Sequence, residues 1–289
     1  GTLDDDFTEA QVAGNVIYIK SGTYTIGENI AQTTDGSLSN PIWIIGYTTV
    51  RNDVCVGDDR PFFVCNNYQF FFGDYLIHKN LRITSAYTNA YFVGQYNLVY
   101  NCKSVQTGAA TRQAFVSTGR ATFIACEAVS TNGEAFSLPG LCKAISCYVH
   151  DSAIGFKMTG QSNAIIGTVI EACTTGVVTG GFEGLFLLNN TIYNCTVGIP
   201  GTTAAWNCFL NNIITDCATG ASWTSSKPID LWDYNCWNNT VDCVNVTKGP
   251  HDITADPKLK DPANGDFTLK SGSPCFGAGL SLSSDVGLA

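Results

Sequence analysis

Apolar positions in the second half of the chain recur at long, nearly constant intervals, not at helical spacing. Phe115, Phe136, Phe156, Val177 and Ile199 fall 21, 20, 21 and 22 residues apart. Cys173, Cys195 and Cys217 fall 22 apart, with Ser152 21 before the first. A third column, Tyr100, Ile124, Ile145, Ile166, Leu188 and Leu210, keeps intervals of 24, 21, 21, 22 and 22. Within each period, short apolar runs break at Gly or Asn, and none is long enough to bury a face alone. Stacking such units makes a continuous core in which each coil touches only the next, at about 4.8 Å per coil. The pattern predicts an all-β fold: a single right-handed parallel β-helix (a single-stranded solenoid) with coils of about 22 residues and three short strands each.

Two features fit the turns of such a stack. The pairs Asn189-Asn190, Asn211-Asn212 and Asn238-Asn239 read as one turn column, amide upon amide. Glycines 155, 176, 198 and 220 follow the Ser/Cys column by three residues, where a turn with positive φ is expected. GNVIYIKSGTYTI reads as two strands around a Ser-Gly turn, and NPIWIIGY as another. The segment from Ala255 to Gly279, with its Asp-Pro and Ser-Pro breaks, cannot continue a regular coil and reads as a cap over exposed strand edges. The expected organisation is one structural domain: an N-terminal cap and first strands over 1–50, coils over 51–250 and a capping tail over 251–289.

Composition narrows the function. Charged residues make up 13% of the 289, and the net charge is −9, which opposes binding to phosphate backbones; nucleic acid is not an expected partner. No apolar run approaches the roughly 18 residues of a membrane helix, so no membrane partner is expected. No signal peptide is visible. Most of the thirteen cysteines recur once per coil rather than in close pairs, and no CxxC has zinc-finger spacing, so the laddered ones read as buried free thiols.

The tail, VIYIKSGTYT, NNTIYNCTVGI and NPIWIIGYTTVRND resemble right-handed β-helix proteins of the pectate-lyase-like superfamily. That resemblance implies an association with polysaccharides and an extracellular or virion-surface location. The superfamily spans lyases, hydrolases, phage tailspikes and non-catalytic surface proteins, so fold does not choose an activity. Its polygalacturonases carry a Gly-His-Gly that is absent here, and the paired Asp58-Asp59 lies in an early turn. If catalytic, the chain is expected to be a lyase rather than a glycoside hydrolase.

Alternation on a strand then selects candidates. With Val149, Ile170, Ile192 and Ile214 inward, His150, Glu171, Tyr193 and Thr215 form an outward column flanked by Tyr148. His150, Glu171, Tyr148 and Tyr193 are the catalytic candidates, supplying a base for the proton α to a uronate carboxyl and an acid or cation for the developing charge. Lys103, Glu127 and Lys143 form a second strip, read as a surface charge ladder. Trp223, Trp232, Trp237 and Asp233, with Asp230 and Tyr234 nearby, suit an exposed aromatic platform for sugar rings. Asp151 and Asp216, just before the Ser/Cys column with Asp242 in a similar place, would contribute to a shallow calcium site if a cofactor is used at all. Two readings remain open: a lyase acting on an acidic polysaccharide, or a non-catalytic phage-tail or cell-surface module that binds glycans or self-associates into a fibre.

Overall fold

The computed structural model describes residues 12–32, 34–53, 55, 57–68, 70–108, 112–201, 206–224 and 231–280. Among them, three parallel sheets of ten, eleven and ten strands run the length of the molecule. Sheet A extends from Val16–Lys20 to Leu231–Asp233, sheet B from Thr23–Thr25 to Ile253–Thr254, and sheet C from Ile30–Gln32 to Val241–Val244. Each circuit adds one strand to A, then B, then C, so neighbours in a sheet lie three strands apart in sequence, except at the end of sheet B, where Ile253–Thr254 follows Cys236–Asn238 by two. This is a right-handed parallel β-helix, the hand expected of parallel crossovers between twisted strands.

Register follows side-chain size. Tyr91, Phe115 and Phe136 pair in line on sheet C, and Phe136 pairs with Phe156. The Phe115–Phe136 and Phe136–Phe156 rings stack at 4.9 and 4.8 Å with interplanar angles of 14° and 7°. That spacing equals the rise between hydrogen-bonded strands, so like residues lie flat on like. On sheet B, Val149, Ile170, Ile192 and Ile214 are fully buried and in register. All cysteines are free, and most are buried.

The third sequence column faces the other way. Tyr100, Ile124, Ile145, Ile166, Leu188 and Leu210 do stack in register on sheet A, but they point outward. The core positions beside them are Val99, Phe123, Ala144, Ile165, Leu187 and Phe209, all fully buried. Sheet A is therefore apolar on both faces, and periodicity alone does not distinguish them.

The turns also differ in detail from the sequence reading. The A-to-B corner is one left-handed residue per coil: Asn101, Ala125, Ser146, Gly167, Asn189, Asn211 and Tyr234 all have φ between 51° and 59°. Inside this corner Asn190, Asn212 and Asn235 stack. Each donates its side-chain amide to a carbonyl of the coil before (Ile165, Leu187 and Phe209, all at 2.9 Å). Asn190 and Asn212 also donate to the next amide oxygen at 3.0 Å. Asn238-Asn239 belongs instead to the B-to-C corner, where Asn239 accepts from the Cys217 amide. Glycines 155, 176, 198 and 220 are not positive-φ residues. They are needed for clearance: a Cβ on Gly155, Gly176 or Gly198 would stand 2.6, 2.4 or 2.5 Å from the carbonyl oxygen of the glycine one coil on.

The C-terminal segment first adds Ile253–Thr254 to the end of sheet B. It then forms an antiparallel hairpin, Leu259–Asp261 with Asp266–Leu269. The hairpin runs back along the outside of sheet B, where Phe267 meets Tyr193 edge-on at 5.7 Å. Leu280 closes the described tail with two hydrogen bonds to Asn211, of 3.1 and 2.8 Å.

Candidate functional site

Sheet B is the face that gathers the candidate acid–base residues, because several of its strands alternate buried apolar residues with polar outward ones. Two outward columns run side by side. One is Phe62, Arg82, Lys103, Glu127, Tyr148, Val169 and Thr191; the other is Val64, Thr84, Val105, Val129, His150, Glu171, Tyr193 and Thr215. The predicted register of His150, Glu171, Tyr193 and Thr215 is the observed one. Thr215 is buried and hydrogen-bonds to Asp216 and Asn238.

The two columns join into one polar network. Asp58 lies 3.2 Å from Arg82 and 3.7 Å from Lys103. Lys103 reaches Glu127 at 2.8 Å, and Glu127 accepts from His150 Nε2 at 3.2 Å. His150 Nδ1 lies 2.8 Å from the exposed Asp151 carboxylate. Tyr148 stacks on His150 with ring centroids 4.6 Å apart and donates its hydroxyl to Glu171. Lys103 and Glu127 thus belong with the His150 strip. Lys143 does not: it stands on sheet A, paired with Thr122 and Ala164.

Environment sets protonation. Burial works against an ionised Glu127, but hydrogen bonds from His150 and Lys103, with their charges, outweigh it and bring the carboxyl down to about 2. The Glu127 hydrogen bond lifts the His150 pKa above its usual 6.5, against partial burial and with help from Asp151. Burial, then the Glu171 hydrogen bond and charge, push the Tyr148 phenol well above 10. The site therefore holds an ionised Glu127 between the Lys103 ammonium and a His150 ring whose proton affinity is raised, beside a protonated phenol that donates to Glu171.

The tail gives this face a wall. Ser146, Cys147, Tyr148, Gly167, Val169 and Glu171 face Ala263, Asn264, Gly265 and Phe267 across a cleft. The cleft opens on the Tyr148–Glu171 pair, and Tyr193 closes it from below through Phe267. A sugar chain lying there would meet acid–base groups on one side and a turn on the other.

Other sequence candidates lie elsewhere. Trp223, Trp232 and Trp237 are core residues, 3%, 7% and 0% exposed, so they offer no face to a sugar. Trp232 packs 4.0 Å from Phe209, and the Trp237 indole donates to Asp252 at 2.8 Å. Asp233 is buried and accepts from the His251 amide and ring at 2.8 and 2.9 Å, which closes a turn. Asp230 lies outside the described residues. Asp151 and Asp216 occupy the same corner three coils apart, separated by Ala172 and Asn194. That is about 14 Å at the strand spacing, too far to share one ion. Asp242 sits on sheet C and is held by Lys248 and Asn239. Among the described residues no group of three or more His, Cys, Asp or Glu converges as a metal site.

Sequence reasoning missed Arg82 and set Asp58 aside as part of an early turn. Arg82 stands 21 residues before Lys103, so extending the outward column one coil upstream would have found it. Asp58 arrives from a 3-10 turn, Gly57–Asp59, outside any period.

No protein-family model and no curated protein matches this chain. Solved structures do match in shape. Pectate lyase Pel9A is 12% identical with a TM-score of 0.62, over 98% of this chain and 88% of that one. A mannuronic acid specific polysaccharide family 6 lyase from human gut microbiota is 11% identical with a TM-score of 0.56, over 86% and 77%. A rhamnogalacturonan lyase is 11% identical with a TM-score of 0.51, over 93% of both. At such identities the likeness is one of fold, and by fold this chain is a right-handed parallel β-helix.

Proposed function

We propose that this protein acts on an acidic polysaccharide by β-elimination, outside the cell or on a virion surface, at the sheet B cleft. The observation that carries the reading is the hydrogen-bonded Tyr148–Glu171 pair beside His150, all lining or flanking one walled cleft. In this mechanism the Tyr148 oxygen takes the proton α to a uronate carboxyl as its own proton passes to Glu171, so no free phenolate accumulates. The electron pair of the broken C–H bond forms the new double bond. The glycosidic oxygen leaves from the β carbon and takes a proton from His150. Lys103, reaching Glu127 beside Tyr148, offsets the charge that grows on the carboxylate. The lyase names of three solved structures with this fold support the polysaccharide class.

One observation favours a second reading, glycan binding without cleavage. Every cation of the site already has a carboxylate partner within 4 Å, so an incoming uronate must compete for it. The experiment is a panel of polygalacturonate, alginate and glycosaminoglycans, with and without calcium, followed by the ultraviolet absorbance of unsaturated uronate. Activity in the wild type that falls about 10²-fold or more in Tyr148→Phe and Glu171→Gln supports elimination. Binding by calorimetry with a flat trace on every polymer supports the second reading instead.

A further inference from the structure

Most cysteines of this chain are sealed in the core, and burial pushes their thiols up, that of Cys65 to about 12. One pair stands apart. Cys236 lies in the last coil of sheet B, in register between Ile213 and Ile253. Cys275 comes from the tail. Both line one cavity where the tail meets the flank of the helix, with Asn211, Tyr234, Leu269 and Gly279 around them, and each thiol shifts the other's protonation.

Both sulfurs are held in position. Cys236 Sγ reaches the Ala255 carbonyl at 3.3 Å. The Cys275 amide donates to Ser273 Oγ at 3.1 Å, and that hydroxyl donates to the Pro257 carbonyl at 2.6 Å. Just beyond, Asn211 grips Leu280 through two hydrogen bonds. The tail therefore returns its thiol to one place each time it docks.

We propose that Cys236 and Cys275 form a reversible disulfide that staples the C-terminal tail to the last coil. The oxidant is a low-molecular-weight disulfide. The Cys275 thiolate attacks one of its sulfurs and expels one small thiolate. Cys236 then loses its proton and displaces the second small thiol from Cys275. One S–S bond breaks, one forms, and two electrons pass from the protein to the small disulfide. Cys275 is suited to the first attack, since the neighbouring Cys236 thiol draws its pKa down to about 7 against partial burial. The same tail carries Ala263–Phe267, so oxidation fixes the wall of the sheet B cleft whatever that cleft binds.

The test treats the full chain with oxidised or reduced glutathione, then maps peptides without reduction and times limited proteolysis of the tail. The expected result is one cross-linked peptide pair containing Cys236 and Cys275, lighter by two hydrogens. Tail cleavage should slow roughly tenfold or more on oxidation and recover with reductant. Cys275→Ser should abolish both effects, whereas Cys208→Ser on sheet A should leave them intact. Cys275 found as a glutathione adduct, as a free thiol, or joined to another cysteine in natively folded wild type would overturn the proposal.

Discussion

Glu127 is the residue on which the site's electrostatics turn. It sits between Lys103 and His150 and stays ionised down to about pH 2, while His150 holds its proton above its ordinary range. Both charges coexist in the folded protein from about pH 2 up to the raised pKa of His150, and the pair's contribution to stability is fully present between about 4.5 and 6.5, the ordinary values of the two groups. Its contribution fades below it as Glu127 protonates and above it as His150 deprotonates. With His150 as proton donor, activity should fall on the alkaline side at a pKa above 6.5. Glu127→Gln should move that limb to lower pH, as read from kcat/KM against pH. A limb that does not move would remove Glu127 from this role. His78 works in the opposite sense. It is fully buried between Phe72 and Tyr91, with neither ring nitrogen hydrogen-bonded, and burial lowers its pKa to about 3. The unfolded chain takes up its proton first, so stability should drop as pH falls from about 6.5 toward 3. His78→Leu should make that slope shallower by up to about 1.4 kcal/mol per pH unit, measured by denaturant unfolding at several pH values.

The residues legible in the sequence were those whose inward neighbours announce a register. Once Val149 and Ile170 are placed inside, His150 and Glu171 must point out together. Trp232 and Trp237 misled because they read as a loop interrupting the repeat. They stand 23 residues after Phe209 and Ile214, both core positions, so the period continues through them and their rings belong inside.

At the level of elements, the corners decide whether coils stack. Asn212 accepts from both the amide and the side chain of Asn190, and donates to Leu187 and Asn235. Replacing it with Ala strands several buried partners at once, each costing about 1–3 kcal/mol. Asn212→Ala should therefore lower unfolding free energy by several kcal/mol, and far more than Asn194→Ala at the exposed B-to-C corner, in parallel urea titrations. The glycine column is as strict for a different reason. Gly176→Ala places a methyl against the Gly198 carbonyl, so the coils must part locally, at a cost of about 1–3 kcal/mol. The sequence marked both columns but assigned glycine to positive φ, because a missing Cβ serves turns and close stacking alike. Asn235, three residues before the Asn238-Asn239 pair, was passed over because Tyr234 precedes it where earlier coils have Asn.

On the scale of the whole molecule, the long-range period carried the fold, and the tail carried what the period cannot express. The hairpin over Leu259–Leu269 turns an open sheet face into a cleft, and no repeat encodes where a non-repeating segment will lie. Shortening the turn Pro262–Gly265 should leave the β-helix intact by circular dichroism while weakening polysaccharide binding, with KM rising more than kcat falls. An unchanged KM would detach the tail from the site. The most direct measurement follows the hydrogen α to the uronate carboxyl. Wild type and Tyr148→Phe are incubated with uronate oligosaccharides in deuterated water, and that position is read by NMR. Loss of the α hydrogen with wild type, into unsaturated product, and its retention with Tyr148→Phe is the predicted result. Retention with wild type on every acidic polymer, or equal loss with the variant, would contradict the assignment of the sheet B cleft as an eliminating active site.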